Sequence, residues 1–309
     1  MSFKLGVAAG TVAAAGALGV AYAAAEAHWY TLRRVTVPVL PAGAAPLKVL
    51  HLSDLHLTAR QHRKVAFVRA LAGLEPDLVV STGDFISSPE AAALARDATE
   101  PLTFRPGAFV FGSNDYYSAH PGNPFLYLLG KKQPVKRQRD LPYEALRQVW
   151  TSAGWLDLNN ARARLHVGGL AIDLVGVDDP HLGLDRFPTE GAGQHAGADL
   201  VVGVAHAPYM GVVQAMVDDG ARLVLAGHTH GGQLCLPWYG ALVSNCDLPP
   251  RLARGLTIWP PPPAGHLAKA RPALDPPAFL HVSAGLGTSP YAPLRFACRP
   301  EATLLTLTS

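Results

Sequence analysis

Carboxylates, an amide and imidazoles recur in this chain just after apolar runs. Asp54 and His56 stand in HLSDLHL at 51–57, Asp84 in STGDF at 81–85, and Asn114 and Asp115 in FGSND at 111–115. His206 stands in VGVAHAP at 202–208, and His228 and His230 in LAGHTHGGQ at 225–233. Carboxylate oxygens and imidazole nitrogens suit zinc, manganese or iron, and no thiolate belongs to the set. One carboxylate can bridge two ions about 3.5–4 Å apart, and Asp84, the lone carboxylate of its turn, is the natural bridge. The candidate ligands are Asp54, His56, Asp84, Asn114, His206, His228 and His230, more than one ion can use. Asp84, Asn114, Asp115 and His206 are expected to carry the catalytic work. A single DxH is commonplace and a GD dipeptide is usually a turn. Their joint placement, each at a strand end and in order, is what sets them apart.

The elements that must position these residues are legible as alternating apolar runs. Strands are expected at 47–52, 78–82, 108–112, 171–177, 200–205, 222–226, 279–283 and 303–308, and helices at 63–74, 89–100, 143–153 and 209–217. Strand ends on one side of a sheet converge, so the polar residues can meet in one crevice. Gly83, Gly112 and Gly227 stand just before them and would let the backbone turn sharply out of each strand. The last two strands follow one another without a helix, which implies a mixed α/β sheet or two packed sheets. Two stretches break the rhythm. Residues 116–141 hold Lys131, Lys132, Lys136, Arg137 and Arg139 against Asp140, and residues 249–277 hold nine prolines and read as an extended surface loop.

The motif order DxH, GD, GN[H]D, H, GHxH resembles that of the calcineurin-like metallophosphoesterases. GHTHGGQ is similar to their bacterial membrane-associated branch, which includes hydrolases of lipid-headgroup pyrophosphates. The resemblance implies a two-sheet mixed β-sandwich flanked by helices. It also implies one ion held by Asp54, His56, Asp84 and His230 and another by Asp84, Asn114, His206 and His228. Such ions would lower the pKa of a bridging water, and the hydroxide would attack phosphorus in line. One motif departs. Where the family carries Asn-His, this chain carries Ser113 and Asn114. We expect Asn114 to be the ligand, because an amide oxygen binds metal better than a hydroxyl. Asn cannot serve as a general acid near neutral pH. His120 and His181 are candidates for that role, and Tyr116 and Tyr117 for contacts to phosphate. A catalytically weak, metal-stabilised binding module of the same fold is the alternative.

The chain of 309 residues is 49% hydrophobic and 16% charged, a globular composition with a substantial core. A net charge of +3 gives no case for a nucleic-acid partner. Three scattered cysteines make no disulfide framework and no CxxC zinc site. There is no HxHxDH run, no GxGxxG and no GxxxxGK[ST], which sets aside the metallo-β-lactamase, dinucleotide-binding and P-loop classes. Residues 5–25 carry no charge and could serve as a membrane anchor within an N-terminal leader over 1–30, ahead of a catalytic domain over 46–309. Small residues at Ala21, Ala23, Ala25 and Ala27 leave a cleaved secretion signal, or a packing helix, as alternatives. The expected substrate is a phosphorylated small molecule or lipid headgroup at a membrane surface.

Overall fold

Successive residues of the strand Leu47–Leu52 face opposite ways, and both ways are dry. Leu47 and Val49 enter one apolar cluster, Leu50 and Leu52 another. This is the pattern of a strand covered on both faces. The computed structural model describes residues 2–119, 138–191, 193–261 and 277–309, and only the backbone of 2–13. Helix α1 (Ser2–Glu26) leads into β1 (Thr31–Pro38). Then come β2 (Leu47–Leu52), α2 (His62–Ala70), β3 (Leu78–Ser81), α3 (Ala92–Thr99), β4 (Gly107–Phe109), the single turn α4 (Ser113–Tyr116), α5 (Tyr143–Ser152) and β5 (Leu156–Asp157). The second half holds β6 (Ala161–Val167), β7 (Leu170–Gly176), β8 (Leu200–Val204), α6 (Met210–Asp218) and β9 (Leu223–Ala226). It continues with β10 (Cys235–Leu236), β11 (Gly240–Ala241), β12 (Gly255–Trp259), β13 (Ala278–Val282) and β14 (Glu301–Thr308).

The strands make two six-stranded sheets, ordered β1-β14-β2-β3-β4-β5 and β12-β13-β9-β8-β7-β6, plus the small hairpin β10-β11. Both large sheets are mixed: β2, β3, β4 and β5 run parallel, as do β7, β8, β9 and β13, while β14 pairs antiparallel with β2. Their facing surfaces, with Val49, Val80, Leu174, Val202, Leu225 and Leu305, form the interior of a sandwich. Helices α2, α3 and α5 cover the outer face of the first sheet, where Val68, Ala95 and Trp150 meet Leu50 and Phe109. Helix α6 covers the second sheet through Val213 and Met216. The two-sheet mixed sandwich flanked by helices is therefore as expected.

Among the described residues six strands were not expected: β1, β5, β6 and β12, which are the four edges of the two large sheets, and the two-residue β10 and β11 of the hairpin. Edge strands carry charged and half-exposed residues, such as Arg33 and Arg34 in β1, and so lack the apolar run that marks a central strand. β12 and a 3₁₀ turn at Pro250–Leu252 correct the reading of 249–277 as extended loop, while 262–276 lie outside the described residues. Likewise 120–137, with His120 and most of the basic stretch, lie outside them. Among the described residues no helix is long and apolar enough to cross a membrane. The last turns of α1 instead lie against the domain: Ala23, Glu26 and Ala27 are buried, and Tyr22 meets Phe296 edge-on at 5.4 Å.

Candidate metal centre

The loops that leave β2 and β3 run side by side, joined by Asp54 N to Gly83 O and His56 N to Asp84 O, each 2.9 Å. Asp54, His56, Asp84, His228 and His230 all have φ between 44° and 68°. That left-handed backbone is rare for residues with a side chain and costs about 1–3 kcal/mol at each position. Five of the eleven such non-glycine residues among those described thus fall on expected ligands. The strain aims their side chains into one crevice between the strand ends. Only Gly83, at φ +90°, is needed for its turn. Gly227 is needed for room: a Cβ there would stand 1.8 Å from Ser53 Oγ and 2.5 Å from Asp54 Oδ2. Gly112 does the same beside Asp84 and His206. Close approach, not chain turning, is therefore the reason for these two glycines.

Seven expected ligands meet in this crevice. His56 Nε2 lies 3.1 Å from His230 Nε2, 3.3 Å from Asp84 Oδ2 and 4.0 Å from Asp54 Oδ1. His230 Nε2 lies 3.6 Å from Asp54 Oδ1. On the other side His206 Nε2 lies 3.5 Å from Asp84 Oδ2 and 3.3 Å from His228 Nδ1. Asn114 touches Asp84 twice, its backbone N–H donating to Oδ1 and its Nδ2 to Oδ2, both at 2.8 Å. Two groups emerge, Asp54 with His56 and His230, and Asp54 with Asp84 and His206. Asp54 belongs to both, so it shares with Asp84 the central place expected for Asp84 alone.

The donor set fits a divalent cation. Each imidazole has one nitrogen tied to the frame and the other aimed inward. His206 Nδ1 donates to Thr82 O at 2.6 Å, His230 Nδ1 to Gly287 O at 3.1 Å, and His228 Nε2 to Asn245 O at 3.3 Å. His56 Nδ1 meets Ser87 Oγ at 3.0 Å. Backbone carbonyls fix the tautomer, so the inward nitrogens of these three present lone pairs. Lone pairs and carboxylates at these separations repel unless positive charge lies among them. Ser53 Oγ donates to Asp54 Oδ2 and Thr82 Oγ1 to Ser53 Oγ, and Thr82 meets His51, which meets His281 between the sheets.

Electrostatics carry the same message. Burial would raise the Asp84 carboxyl, but His206, His56 and the Asn114 amide outweigh it and hold it well below the usual range. Burial raises Asp54, and Asp84 adds to the rise. Burial works against charge on His206, yet Asp84, Asp179 and Asp54 hold its imidazole well above the usual range. Burial brings His56 and His230 down to about 3. A proton on His206 and a divalent cation thus compete for the same lone pair. Below the raised pKa of His206 each cation bound there must displace a proton, so apparent affinity rises about tenfold per pH unit until that pKa is passed, then levels off. Metal titration of stripped protein between about pH 6 and 9 checks this. A flat profile, or affinity that falls with pH, would contradict it.

Other expected residues land elsewhere. Asp115 is fully buried beneath the cluster and accepts the backbone N–H groups of Asp84, Phe85 and Gly112 at 2.8–2.9 Å. Both its oxygens are used in holding the two loops, so Asp115 stands behind the ligands expected beside it and not among them. Tyr116 is buried with its hydroxyl on Asp178 Oδ1 at 2.8 Å, so it is not a phosphate contact. His181 does stand at the rim, its ring 4.5 Å from that of His228 and its Nδ1 3.2 Å from Tyr209 OH. Asp179 was not foreseen. It is fully buried, its Oδ2 has no hydrogen-bond partner, and burial raises its carboxyl to about 7.

A sandwich of two mixed sheets with buried carboxylates and imidazoles gathered at its strand ends defines a protein that can hold divalent metal for hydrolysis. The chain belongs to the calcineurin-like phosphoesterase family, which residues 47–232 match. It is 26% identical over 310 residues to the metallophosphoesterase YkuE of Bacillus subtilis, covering 98% of this chain and 94% of that one. It is 26% identical over 288 residues to the phosphodiesterase YaeI of Escherichia coli, covering 91% and 90%. A Bos taurus transmembrane protein with a metallophosphoesterase domain is 28% identical over 214 residues, 65% of this chain and 44% of that protein.

Proposed function

We propose that the chain is a dinuclear, divalent-metal-dependent hydrolase of phosphate diesters or pyrophosphates with good leaving groups. The observation that carries this reading is that the donors fall into two groups sharing Asp54, with Asp84 Oδ2 facing His56 on one side and His206 on the other. Asp54, His56, Asp84 and His230 would hold one ion, and Asp84, Asn114, His206 and His228 the other. When bound, such ions supply Lewis acidity and a water of lowered pKa. The chain's own residues do the rest. Ser53 and the His228 N–H orient the Asp54 carboxylate, the latter at 3.0–3.2 Å. Asp115 keeps the Asp84 loop in place. His181, hydrogen-bonded to Tyr209, is the group placed to pass a proton to a leaving oxygen.

A cleft of about 330 Å³ adjoins His181 through Tyr209, lined among others by Val177, Pro180, Asp185, Phe187 and Asp247. With an apolar floor, two carboxylates and, among the described residues, no basic one in its lining, it suits the organic part of an ester rather than a second phosphate. That favours a diester or pyrophosphate over a monoester. Leu18, Val20 and Tyr22 on α1 are exposed apolar side chains, which fits attachment to a membrane surface and a lipid-linked substrate.

Chelator-stripped protein supplied with manganese and assayed on aryl monoesters, aryl diesters and a pyrophosphate-linked substrate tests this. The expected result is close to two ions per chain and turnover of diester or pyrophosphate that disappears with chelation. Turnover untouched by chelation would overturn it. Two bound ions with no turnover on any class would favour the binding-module alternative, to which the asparagine at 114 also points.

A further inference from the structure

Arg295 is fully buried, and among the described residues no carboxylate lies within ion-pair distance of it. A guanidinium in such a place is costly unless its N–H groups are satisfied. Here Nη1 and Nη2 meet backbone carbonyls, while Nε has no hydrogen-bond partner among the described residues. Nη2 lies 2.7 Å from Ala284 O, 2.6 Å from Gly287 O and 3.1 Å from Gly285 O. Nη1 lies 3.3 Å from His230 O and 3.4 Å from Cys298 O.

The loop it holds touches both halves of one ligand group. Leu286 N donates to Ser53 O at 3.1 Å and Gly287 N to Asp54 O at 2.5 Å. The Gly287 carbonyl gripped by Arg295 is also the one that accepts from His230 Nδ1. Arg295 Nη2 is 3.4 Å from that same Nδ1, but its two hydrogens are taken by the shorter bonds to Ala284 and Gly287. His230 therefore keeps its proton on Nδ1 and turns a bare Nε2 inward.

Arg295 is in turn held by the N-terminal helix. Its own N–H donates to Ala23 O at 3.0 Å. Glu26, itself buried, accepts from Ala297 N and Cys298 N, one with each carboxylate oxygen, both at 2.9 Å. Ala297 between them is left-handed at φ 52°, a conformation that persists only where surrounding contacts enforce it.

We propose that Glu26 and Arg295 are positioning residues for the His230 side of the centre. Glu26 fixes the turn at 295–298, Arg295 fixes the loop at 284–287, and that loop fixes the aim and tautomer of His230 and the backbone of Asp54. The last turn of α1 is thereby part of the metal site's support, and loosening it weakens one ion and not its neighbour. This rests on the dinuclear reading above.

The test uses the full chain with Glu26→Gln, Glu26→Ala and Arg295→Lys. Stripped protein is titrated with cobalt(II), the two binding steps and the visible absorption of the bound ion are followed, and the melting temperature of the stripped protein is measured alongside. Losing a support of this kind lowers metal affinity about 10–100-fold. The expected result is that loss in one step only, with a changed cobalt spectrum for that ion. Glu26→Gln, which keeps one acceptor and the side chain's shape, should fall between wild type and Glu26→Ala. Wild-type affinities in all three variants would overturn the proposal. So would equal weakening of both steps in proportion to the fall in melting temperature, the signature of a merely structural role. If wild type binds no divalent ion in two steps, the dinuclear reading fails first, and the proposal falls with it.

Discussion

Asp84→Asn is expected to lower kcat/KM by about a thousandfold or more and to cost the protein bound metal on both sides of the centre. Asp84 Oδ2 stands 3.3 Å from His56 Nε2 and 3.5 Å from His206 Nε2, so one carboxylate oxygen faces a nitrogen from each side. Asparagine removes the charge and places either a neutral oxygen or an N–H donor in that position. Metal-borne charge stabilisation contributes several kcal/mol to a hydrolytic transition state, and each 1.36 kcal/mol is about a factor of ten. Stability should fall as well. His206, His56 and the Asn114 amide hold the buried Asp84 carboxyl well below the usual range, so its charge stabilises the fold and the stripped variant should melt below stripped wild type. Rate, metal content and melting temperature together check this. A loss of less than about tenfold with full metal content would show that Asp84 is not shared between two ions.

The second large effect separates two neighbouring residues. Asn114→Ala is expected to lower kcat/KM about a hundredfold with loss of one ion, within the 10–100-fold range for metal-site support, while Ser113→Ala stays within a few-fold of wild type. Gly112 lets the chain pass close to Asp84 and His206, and the single turn α4 then starts at Ser113. That turn sets the backbone and side chain of Asn114 directly on Asp84. Among the described residues Ser113 Oγ meets only the Asn114 amide nitrogen, at 3.4 Å. The Asn114 amide shows its nitrogen to Asp84 here, and a half-turn about its soft terminal torsion would present the oxygen to a cation instead. Metal analysis beside kinetics decides the matter. If Ser113→Ala proved the more damaging change, the ligand would be the hydroxyl, and the family pattern would run through position 113.

Both results bear on chemistry as well as binding. In the proposed reading, with asparagine where the resembled motif has histidine, proton delivery would fall to the rim, where His181 and Tyr209 stand beside His228. The buried Asp179, with its free oxygen, lies next to that pair through the His181 N–H at 2.8 Å.

The sequence by itself determined which residues meet and on what kind of frame. Parallel strands covered on both faces read as unbroken apolar runs, and the residue that follows each run must emerge at the same edge of the sheet. Asp54, His56, Asp84, Asn114, His206, His228 and His230 could therefore be placed in one crevice from local pattern alone. Tertiary structure decided what depends on contacts between distant segments. Nothing near Asp115 says that it clamps two loops, because its partners at 84 and 85 lie some thirty residues away. Glu26 looks like the polar end of a leader until it is seen to bind residues 297 and 298, more than 270 positions on. The edge strand β1 carries no strong apolar signal and becomes a strand only because β14 offers it a parallel partner. Arg295 is an ordinary basic residue in sequence. Its role arises because folding closes carbonyls from three loops around it, and backbone carbonyls have no residue identity for a sequence to display.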